Sequence, residues 1–399
     1  MDRPLEGIRV LDWTVFQQGP TATALLADMG ADVIKIEEPR GEPARGITKM
    51  YGIEVPLNFY YQNQNRGKRG IVLDLTKEKA REVLCELVKN SDVFVTNLRY
   101  RFAKKLGLDY EALSKHNPKL IYALSSGYGS EGPDADLPSA DFAGQARGGI
   151  WSVSMSEELT PVPLGAGFAD EIGGVMTAYG IMMALFARER TGEGQMVEAS
   201  LLGGQIEVGR LSLQQYLLMG FLPAPSTIKM LNSPMWNIYR CKDSKWVCLS
   251  VLQADRFWPQ FCKVMGKEEW ATDPKFENAL VRGQNIAELL PQVKEIFITK
   301  TREEWVKVFS EVDIAAAPVN DYADIANDPQ VQANGYIMEI DDPIHGKVRV
   351  PGIPVKLSKT PGKVTKLAPE LGQHTEEVLQ EVLGYSWEQL SELRDAEVY

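Results

Sequence analysis

One acidic side chain, Asp170, stands in a setting that suits covalent chemistry. It lies in the segment GAGFADEIGG (165–174), between a glycine-rich turn and a predicted helix of small residues. A carboxylate at a helix N-terminus is stabilised by the helix dipole and by free backbone N–H groups. The flanking glycines would let a thioester approach closely, and Gly173 would leave space one turn further on. The local sequence therefore allows two interpretations of Asp170, an ordinary N-cap or a nucleophile.

A second group of residues could bind phosphate. The segment NLRYRFAKK (97–105) carries four cations within seven residues, directly after a predicted strand, in a chain that is otherwise acidic. Cations beside a helix N-terminus at the carboxyl edge of a sheet form a common phosphate site. The alternative is a solvated helix face without a ligand.

Several familiar sites are missing from the sequence. It contains no GxxxxGK[ST], no GxGxxG after the first strand and no GxSxG, and its three histidines are His116, His345 and His374. These absences argue against a P-loop, an ordinary dinucleotide-binding fold, a Ser-His-Asp hydrolase and a zinc enzyme. The net charge of −11 argues against a nucleic-acid partner.

The composition favours a soluble, cytoplasmic protein. Four cysteines without a CxxC pair fit a reducing compartment better than a disulfide framework, and the N-terminus has no apolar signal region. The longest uncharged apolar run, residues 172–187, is shorter than the roughly 20 residues that a bilayer requires. We therefore expect this run to be a buried helix and expect no membrane partner.

The elements that would position these residues alternate between strands and helices. We predict strands near residues 8–13, 31–37, 70–75, 92–96, 120–124 and 195–200, with helices between them. Such alternation predicts an α/β fold with an open, mostly parallel sheet. Ligands bind these sheets at the carboxyl ends of the strands, which directs attention to residues 14–19, 37–40, 97–101 and 125–129.

Two domains are expected. The composition and the pattern of predicted elements change near residue 225, where Trp, Met and short mixed elements become frequent. We assign residues 225–325 to a small α+β domain, and residues 1–224 and 326–399 to a large Rossmann-like domain built from both chain ends.

An ordered series of motifs resembles a known family. It comprises LEGIRVLDWT, LLADMGADVIKIEEPRGEPAR, NQNRGKRGIVLDL, LIYALSSGYGSEGP, ARERTGEGQMVEASLL and LGQHTEEVL. Together these motifs resemble the family III CoA-transferases, a group that includes formyl-CoA, carnitine and phenyllactate CoA-transferases and the related α-methylacyl-CoA racemases. The resemblance covers essentially the whole chain.

The resemblance implies roles for individual residues. Asp170 falls on the family's catalytic aspartate, and Gln17 and Gln18 fall in the loop over the thioester, with Gln17 as a catalytic residue and Gln18 as a CoA contact. Arg40 lies one or two positions from a family cation that meets the nucleotide, and Glu38 takes the aligned position. The other expected contacts with CoA are Leu73, Asn97, Leu98, Arg99, Lys105 and Ala140.

At two places this sequence differs from the family's motifs, and the differences bear on the reaction and the substrate that we expect. The racemases use a His-Asp pair in a GHD segment, whereas this chain has Ala140 before Asp141. Proton transfer at an α-carbon needs two groups of suitable pKa, so the resemblance favours transfer over racemisation. The glycine-rich lid of formyl-CoA transferase is replaced by NSPMWN (232–237), which suggests an acid larger than formate or oxalate.

The resemblance thus implies a CoA-transferase that forms a covalent aspartyl intermediate. Its ligands would be acyl-CoA and a small carboxylic acid, with no permanently bound cofactor and no metal. Two copies would form an interlocked homodimer. The alternatives are an enolising enzyme related to the racemases and a CoA-binding protein without activity.

Overall fold

The computed structural model describes residues 2–156, 158, 160–223 and 232–399. The chain forms two compact units. One comprises Met1–Trp151, Pro163–Leu222 and Gln330–Tyr399, and the other comprises Ser152–Val162 and Pro223–Pro329. The domain boundary expected between residues 224 and 225 lies outside the described residues.

A six-stranded parallel sheet forms the centre of the first unit. Its strands are β1 (Arg9–Trp13), β2 (Asp32–Glu37), β3 (Arg69–Val72), β4 (Val93–Thr96), β5 (Ile121–Ser126) and β6 (Met196–Ser200). Their order is β3-β2-β1-β4-β5-β6, and every neighbouring pair is parallel. The α/β prediction is confirmed. The order reverses between β1 and β4, the switch point where such sheets bind ligands.

Helices connect and cover the strands. In chain order they are α1 (Gln18–Asp28), α2 (Ile47–Met50), α3 (Phe59–Asn65), α4 (Glu78–Lys89), α5 (Tyr100–Lys105), α6 (Tyr110–Leu113), α7 (Asp141–Arg147), α8 (Phe168–Thr191), α9 (Leu201–Val208), α10 (Arg210–Met219), α11 (Ala254–Met265), α12 (Ala279–Gln284), α13 (Ile286–Phe297), α14 (Arg302–Ser310), α15 (Tyr322–Asn327), α16 (Pro329–Ala333), α17 (Thr375–Leu383) and α18 (Trp387–Asp395).

Both faces of the parallel sheet are buried. Along β1, Val10 packs in a cluster with Ile181 of α8, whereas Leu11 packs in a cluster on the other face with Leu84 of α4. Burial on both faces explains why these strands are continuous apolar runs without polar alternation. Although all six strands come from the first 200 residues, the chain's C-terminal end completes the core. Its contributions are Val378, Leu379, Leu390, Leu393 and Val398.

Antiparallel strands form two smaller sheets. In the second unit, β7 (Trp236–Arg240), β8 (Trp246–Ser250) and β9 (Ala316–Val319) pair in that order. Aromatic side chains fill that unit's core, and Tyr239 stacks on Phe297 at 4.0 Å between ring centroids. In the first unit, β10 (Ile337–Asp342) and β11 (Gly346–Pro351) form a hairpin.

Helix α8 contains the long apolar run but is not buried on every side. Ile181, Ala184 and Leu185 face the core. The opposite side is exposed and carries Val175, Tyr179, Met183 and Phe186. Within the described ranges, none of the helices combines the length and the apolar character that a membrane span requires.

Candidate active site

The N-terminus of α8 is capped by Asp141, which lies on a different helix. Gly167 occupies the N-cap position with φ of +86° and so offers no capping side chain of its own. One carboxylate oxygen of Asp141 accepts the N–H of Gly167 at 2.9 Å, and the other accepts the N–H groups of Ala169 at 2.6 Å and Asp170 at 3.2 Å. These are the backbone donors that a helix leaves unpaired at its start. The interpretation of Asp170 as an ordinary N-cap is therefore wrong.

Asp141 is itself held in place by Gln145, a fully buried residue of α7. The side-chain amide of Gln145 donates to Asp141 at 2.8 Å and to the carbonyl of Gly165 at 2.9 Å. Its carbonyl oxygen accepts from the indole of Trp151 at 3.0 Å and from the N–H of Leu164 at 3.2 Å. The side chains of Asp141 and Gln145 thus fix the glycine-rich turn before Asp170 through hydrogen bonds to its backbone.

The carboxylate of Asp170 has no such partner. It accepts no hydrogen bond from any residue that the structure describes, and the side chain is partly buried. Burial, followed by the negative charges of Asp141 and Glu171, raises the pKa of Asp170 to about 7. A carboxylate with this pKa is more basic than an ordinary aspartate and is about half ionised at neutral pH. It is free to react with an electrophile.

The neighbouring carboxylate, Glu171, is engaged in contrast by three side chains. It accepts from Gln17 at 2.9 Å, from Gln64 at 3.2 Å and from Thr21 at 3.4 Å. The Gln17 side chain also lies against Gly167, where an added Cβ would come within 2.5 Å of the Gln17 amide nitrogen. The structure therefore brings Gln17 to the N-terminal turn of α8, which carries Asp170.

Gln18 points elsewhere. Its amide donates to the carbonyl of Ser126 at 3.2 Å, and only 5% of the residue is exposed. It occupies the space beside Gly173, where an added Cβ would lie 2.7 Å from the Gln18 amide nitrogen. The room expected at Gly173 for a thioester is therefore filled by helix packing between α1 and α8.

Two cavities lie at the carboxyl edge of the sheet and contain four of the eight expected CoA contacts. Leu73 and Leu98 line a cavity of about 230 Å³, together with Trp13, Val15 and Phe102. Asn97, Leu98 and Arg99 line a cavity of about 240 Å³, together with Ser126, Gly127 and Ser139. Since Leu98 lines both cavities, residues at the carboxyl ends of β3, β4 and β5 meet around one short segment.

Other expected contacts lie outside these cavities. Arg40 and Lys105 are exposed, and neither lines either cavity. Ala140 is exposed at the N-cap of α7, next to Asp141. The side chain of Asn97 is committed to the backbone of Val15, accepting its N–H at 2.9 Å and donating to its carbonyl at 2.7 Å.

Three residues of the site were missed by sequence reasoning. Asp141 was noted only as half of an incomplete His-Asp pair, and the segment NFYYQN gave no reason to select Tyr60. Burial, then the nearby charge of Asp170, then that of Glu42, raises the pKa of the Tyr60 phenol above its usual range. Tyr60 is therefore a neutral O–H group near Asp170. Glu171 adjoins Asp170 in the sequence, but its partners come from α1, α3 and the loop before α1.

No group of three or more His, Cys, Asp or Glu residues that could hold a metal ion occurs in the described parts of the chain. The groups available for chemistry at the site are the unpaired carboxylate of Asp170, the amides of Gln17 and Gln64, and the phenol of Tyr60.

Known proteins resemble this chain along nearly its whole length. The family model of CoA-transferase family III matches residues 5–375. The chain is 34% identical to a formyl-CoA:oxalate CoA-transferase of Bradyrhizobium sp. (strain ORS 278) and 33% identical to one of Rhodopseudomonas palustris (strain BisA53). Each alignment covers 99% of this chain and 97% of the relative.

Solved structures share the fold. A CAIB/BAIF family protein from Brucella suis has a TM-score of 0.85 at 30% identity, over 96% of this chain and 100% of that one. Rv3272 from Mycobacterium tuberculosis, in its orthorhombic form, has a TM-score of 0.82 at 28% identity, over 94% and 98%. The motifs, the sheet order and these likenesses agree, and the chain belongs to CoA-transferase family III.

Proposed function

We propose that this CoA-transferase moves CoA from an acyl-CoA to a free carboxylic acid through a covalent intermediate on Asp170. The observation that carries the proposal is the unpaired carboxylate of Asp170. A second carboxylate, that of Asp141, satisfies the helix N-terminus and leaves Asp170 free. Nucleophilic catalysis requires such a group, with a pKa matched to the operating pH.

The first half of the proposed reaction loads CoA onto the enzyme. An oxygen of Asp170 attacks the thioester carbon, the C–S bond breaks, and a mixed anhydride and CoA thiolate result. The thiolate then attacks the Asp170 carbonyl carbon and expels the donor acid as a carboxylate, which leaves an aspartyl-CoA thioester. No net proton transfer or oxidant is required.

The second half reverses these steps. The acceptor carboxylate attacks the aspartyl thioester and releases CoA thiolate, which attacks the acceptor's carbonyl carbon in the new anhydride. This last step forms the product acyl-CoA and restores the Asp170 carboxylate. Because thioesters and anhydrides are both activated acyl groups, the enzyme mainly supplies position and hydrogen-bond donors for the tetrahedral oxyanions. The Tyr60 hydroxyl and the second N–H of the Gln17 amide are side-chain donors suited to this task.

The identity of the acids is a separate proposal. The relatives named above act on formyl-CoA and oxalate, as their names state. The segment at 232–237 lies in the second unit, leading into β7, with Met235 buried and Trp236 42% exposed. We propose that this bulky segment favours an acid larger than formate or oxalate. A screen should therefore pair formyl-CoA, succinyl-CoA and an aryl-CoA with oxalate and with branched or aromatic acids.

Trapping of the aspartyl thioester tests the mechanism. Hydroxylamine added during turnover should convert the Asp170 thioester to a hydroxamate, which peptide mass spectrometry can locate. Transfer without a hydroxamate at residue 170 would refute the covalent role of Asp170. A CoA-binding protein without activity would show neither transfer nor hydroxamate. An enolising enzyme would instead incorporate deuterium into a 2-methylacyl-CoA in D₂O without any acceptor acid.

We also propose that the enzyme acts as an interlocked homodimer. The exposed side of α8 is apolar, and α10 exposes a further row of large apolar side chains: Leu211, Leu213, Leu217, Leu218 and Met219. Apolar surface of this extent is unusual on a monomer, and a second copy is the partner that the family resemblance implies. Light scattering should give twice the chain mass, and Leu217→Asp combined with Tyr179→Asp should lower it. A monomeric wild-type protein at micromolar concentration would refute the dimer.

A further inference from the structure

The loop that carries Gln17 is held at consecutive backbone groups by side chains from other parts of the fold. The N–H of Thr14 donates to Asp12 at 3.1 Å, and the carbonyl of Thr14 accepts from Lys35 at 3.0 Å. Both backbone groups of Val15 bind the side-chain amide of Asn97. A loop whose backbone N–H and carbonyl groups are bound at both Thr14 and Val15 has little freedom to move there.

The last of these contacts lies directly before Gln17. The N–H of Phe16 donates to a carboxylate oxygen of Glu42 at 2.7 Å. Phe16 has φ of +61°, a left-handed conformation that costs free energy in a bulky residue. Phe16 is 45% exposed, so packing covers its ring only in part. The hydrogen bond to Glu42 is therefore the contact that fixes the backbone at Phe16.

A buried ion pair joins Lys35 and Glu42, two of the side chains that bind the backbone of this loop. Lys35 and Glu42 lie 2.9 Å apart, with side chains 0% and 2% exposed. Lys35 holds the carbonyl of Thr14 while Glu42 holds the N–H of Phe16, so the pair spans the loop. Burial disfavours the charge of Lys35, but the carboxylates of Asp12, Glu42 and Glu37 keep its pKa above the usual range.

The buried side chains of Lys35, Glu42, Lys68 and Asp12 form two ion pairs whose charges sum to zero. A second buried pair, Lys68 with Asp12 at 2.8 Å, lies beside the first, and both of its side chains are 0% exposed. Removing one charge would leave its partner buried and uncompensated, which is strongly destabilising, whereas removing both members of a pair is far better tolerated. Removing Lys35 and Glu42 together therefore keeps the net charge of the region unchanged and leaves the pair of Lys68 and Asp12 with its own contact.

We infer that Lys35 and Glu42 are positioning residues for the transfer reaction. Glu42 holds Phe16 in its left-handed conformation, and Lys35 holds Glu42 and the carbonyl of Thr14. Together they place the Gln17 amide over the N-terminal turn of α8. This inference rests on the proposed function, since it assumes that Gln17 acts beside Asp170. Glu42 borders the 230 Å³ cavity, but its side chain is only 2% exposed and that of Lys35 is fully buried, so both act through Gln17.

Two double variants with the same charge test the inference. Lys35→Met/Glu42→Leu removes the acceptor for the Phe16 N–H, whereas Lys35→Met/Glu42→Gln keeps an amide oxygen in its place. With the best donor and acceptor pair from the screen above, the Leu variant should have kcat about 10- to 100-fold below that of the Gln variant, the size of effect expected when a catalytic group is misplaced by about 1 Å. KM for acyl-CoA should differ little between them. Equal kcat values in the two folded variants would overturn the inference.

A double-mutant cycle distinguishes positioning from general stability. If Glu42 acts through Gln17, the difference between the two double variants should disappear in a Gln17→Ala background. Additive losses would overturn the inference. Asp28→Asn combined with Arg66→Met is the matched control, because these residues form a buried pair at 2.7 Å at the other end of α1 and are likewise removed together. It should lower the melting temperature without lowering kcat.

Hydrogen exchange separates failure of this inference from failure of the proposed function. Exchange in residues 14–17 should be faster in the Leu variant than in the Gln variant, whatever reaction the enzyme catalyses. Unchanged exchange would refute the anchoring of the loop itself. If exchange rises as expected but Asp170→Ala retains full transfer activity, the loop anchor stands and the proposed function fails.

Discussion

The backbone N–H of Asp170 donates to the carboxylate of Asp141 at 3.2 Å, while the charge of Asp141 adds to the effect of burial in raising the pKa of the Asp170 side chain. One residue thus fixes the helix turn that carries Asp170 and makes its carboxylate more basic. Asp141 performs the capping that the sequence allowed for Asp170, and this exchange of roles leaves Asp170 available for reaction.

Removing the Asp170 carboxylate should abolish transfer without unfolding the enzyme. We expect Asp170→Ala to lower kcat by several orders of magnitude, because covalent catalysis has no substitute for the missing nucleophile. Transfer from acyl-CoA to acid, followed by liquid chromatography, measures this loss. Activity near that of the wild type would remove Asp170 from the mechanism.

The same position should show a gain in stability that depends on pH. The pKa of Asp170 is about 7 in the folded state against an ordinary value of 3.8. Ionisation therefore costs folding free energy that begins above pH 3.8, grows as the pH rises and is complete above pH 7. Asp170→Asn should melt at a higher temperature than the wild type at pH 8, and this advantage should shrink towards pH 4. An advantage independent of pH would contradict the raised pKa.

The rate should follow the ionisation of Asp170. We expect kcat/KM to rise about tenfold per pH unit below pH 7 and to level off above it, because only the carboxylate is nucleophilic. Glu171→Gln removes a like charge near Asp170, so the midpoint should move to lower pH. Glu189→Gln, at the other end of α8, makes the same charge change and should leave the midpoint in place. A midpoint near pH 4 in the wild type would disprove the assignment.

Loss of the Asp141 cap should affect both stability and activity. Asp141→Ala leaves three backbone N–H groups of α8 without their acceptor, which we expect to cost roughly 1–3 kcal/mol of unfolding free energy in denaturant melts. It should also lower kcat, because Asp170 lies in the loosened turn. Asp109→Ala removes the cap of α6 instead, so it should lower stability while kcat stays at the wild-type value.

The cavity residues should govern affinity for CoA. Arg99 and Arg101 are both exposed, but Arg99 lines the 240 Å³ cavity, whereas Arg101 lies 3.8 Å from Asp136. If Arg99 meets a phosphate, Arg99→Ala should raise KM for acyl-CoA about tenfold, equivalent to about 1.4 kcal/mol, with little change in kcat. Arg101→Ala should leave KM nearly unchanged. Equal effects of the two variants would indicate attraction by the basic segment as a whole.

The sequence by itself determined the class of fold and the family. Runs of apolar residues separated by helices predict a parallel sheet buried on both faces, because burial on both faces removes the polar alternation of an exposed strand. The ordered motifs indicated the family and drew attention to Asp170 and to the cations after β4. These conclusions depend on residue types and spacing along the chain, which sequence reasoning uses directly.

Only the tertiary structure decided what each polar side chain does. Asp141 lies 29 residues before Asp170, and Asn97 lies 82 residues after Val15, yet these contacts settle which groups are bound and which are free. The sequence suggested open space at Gly173, but the folded chain fills it with Gln18. Hydrogen-bond partners, burial and pKa are properties of groups brought together from distant parts of the chain, so local sequence patterns do not determine them.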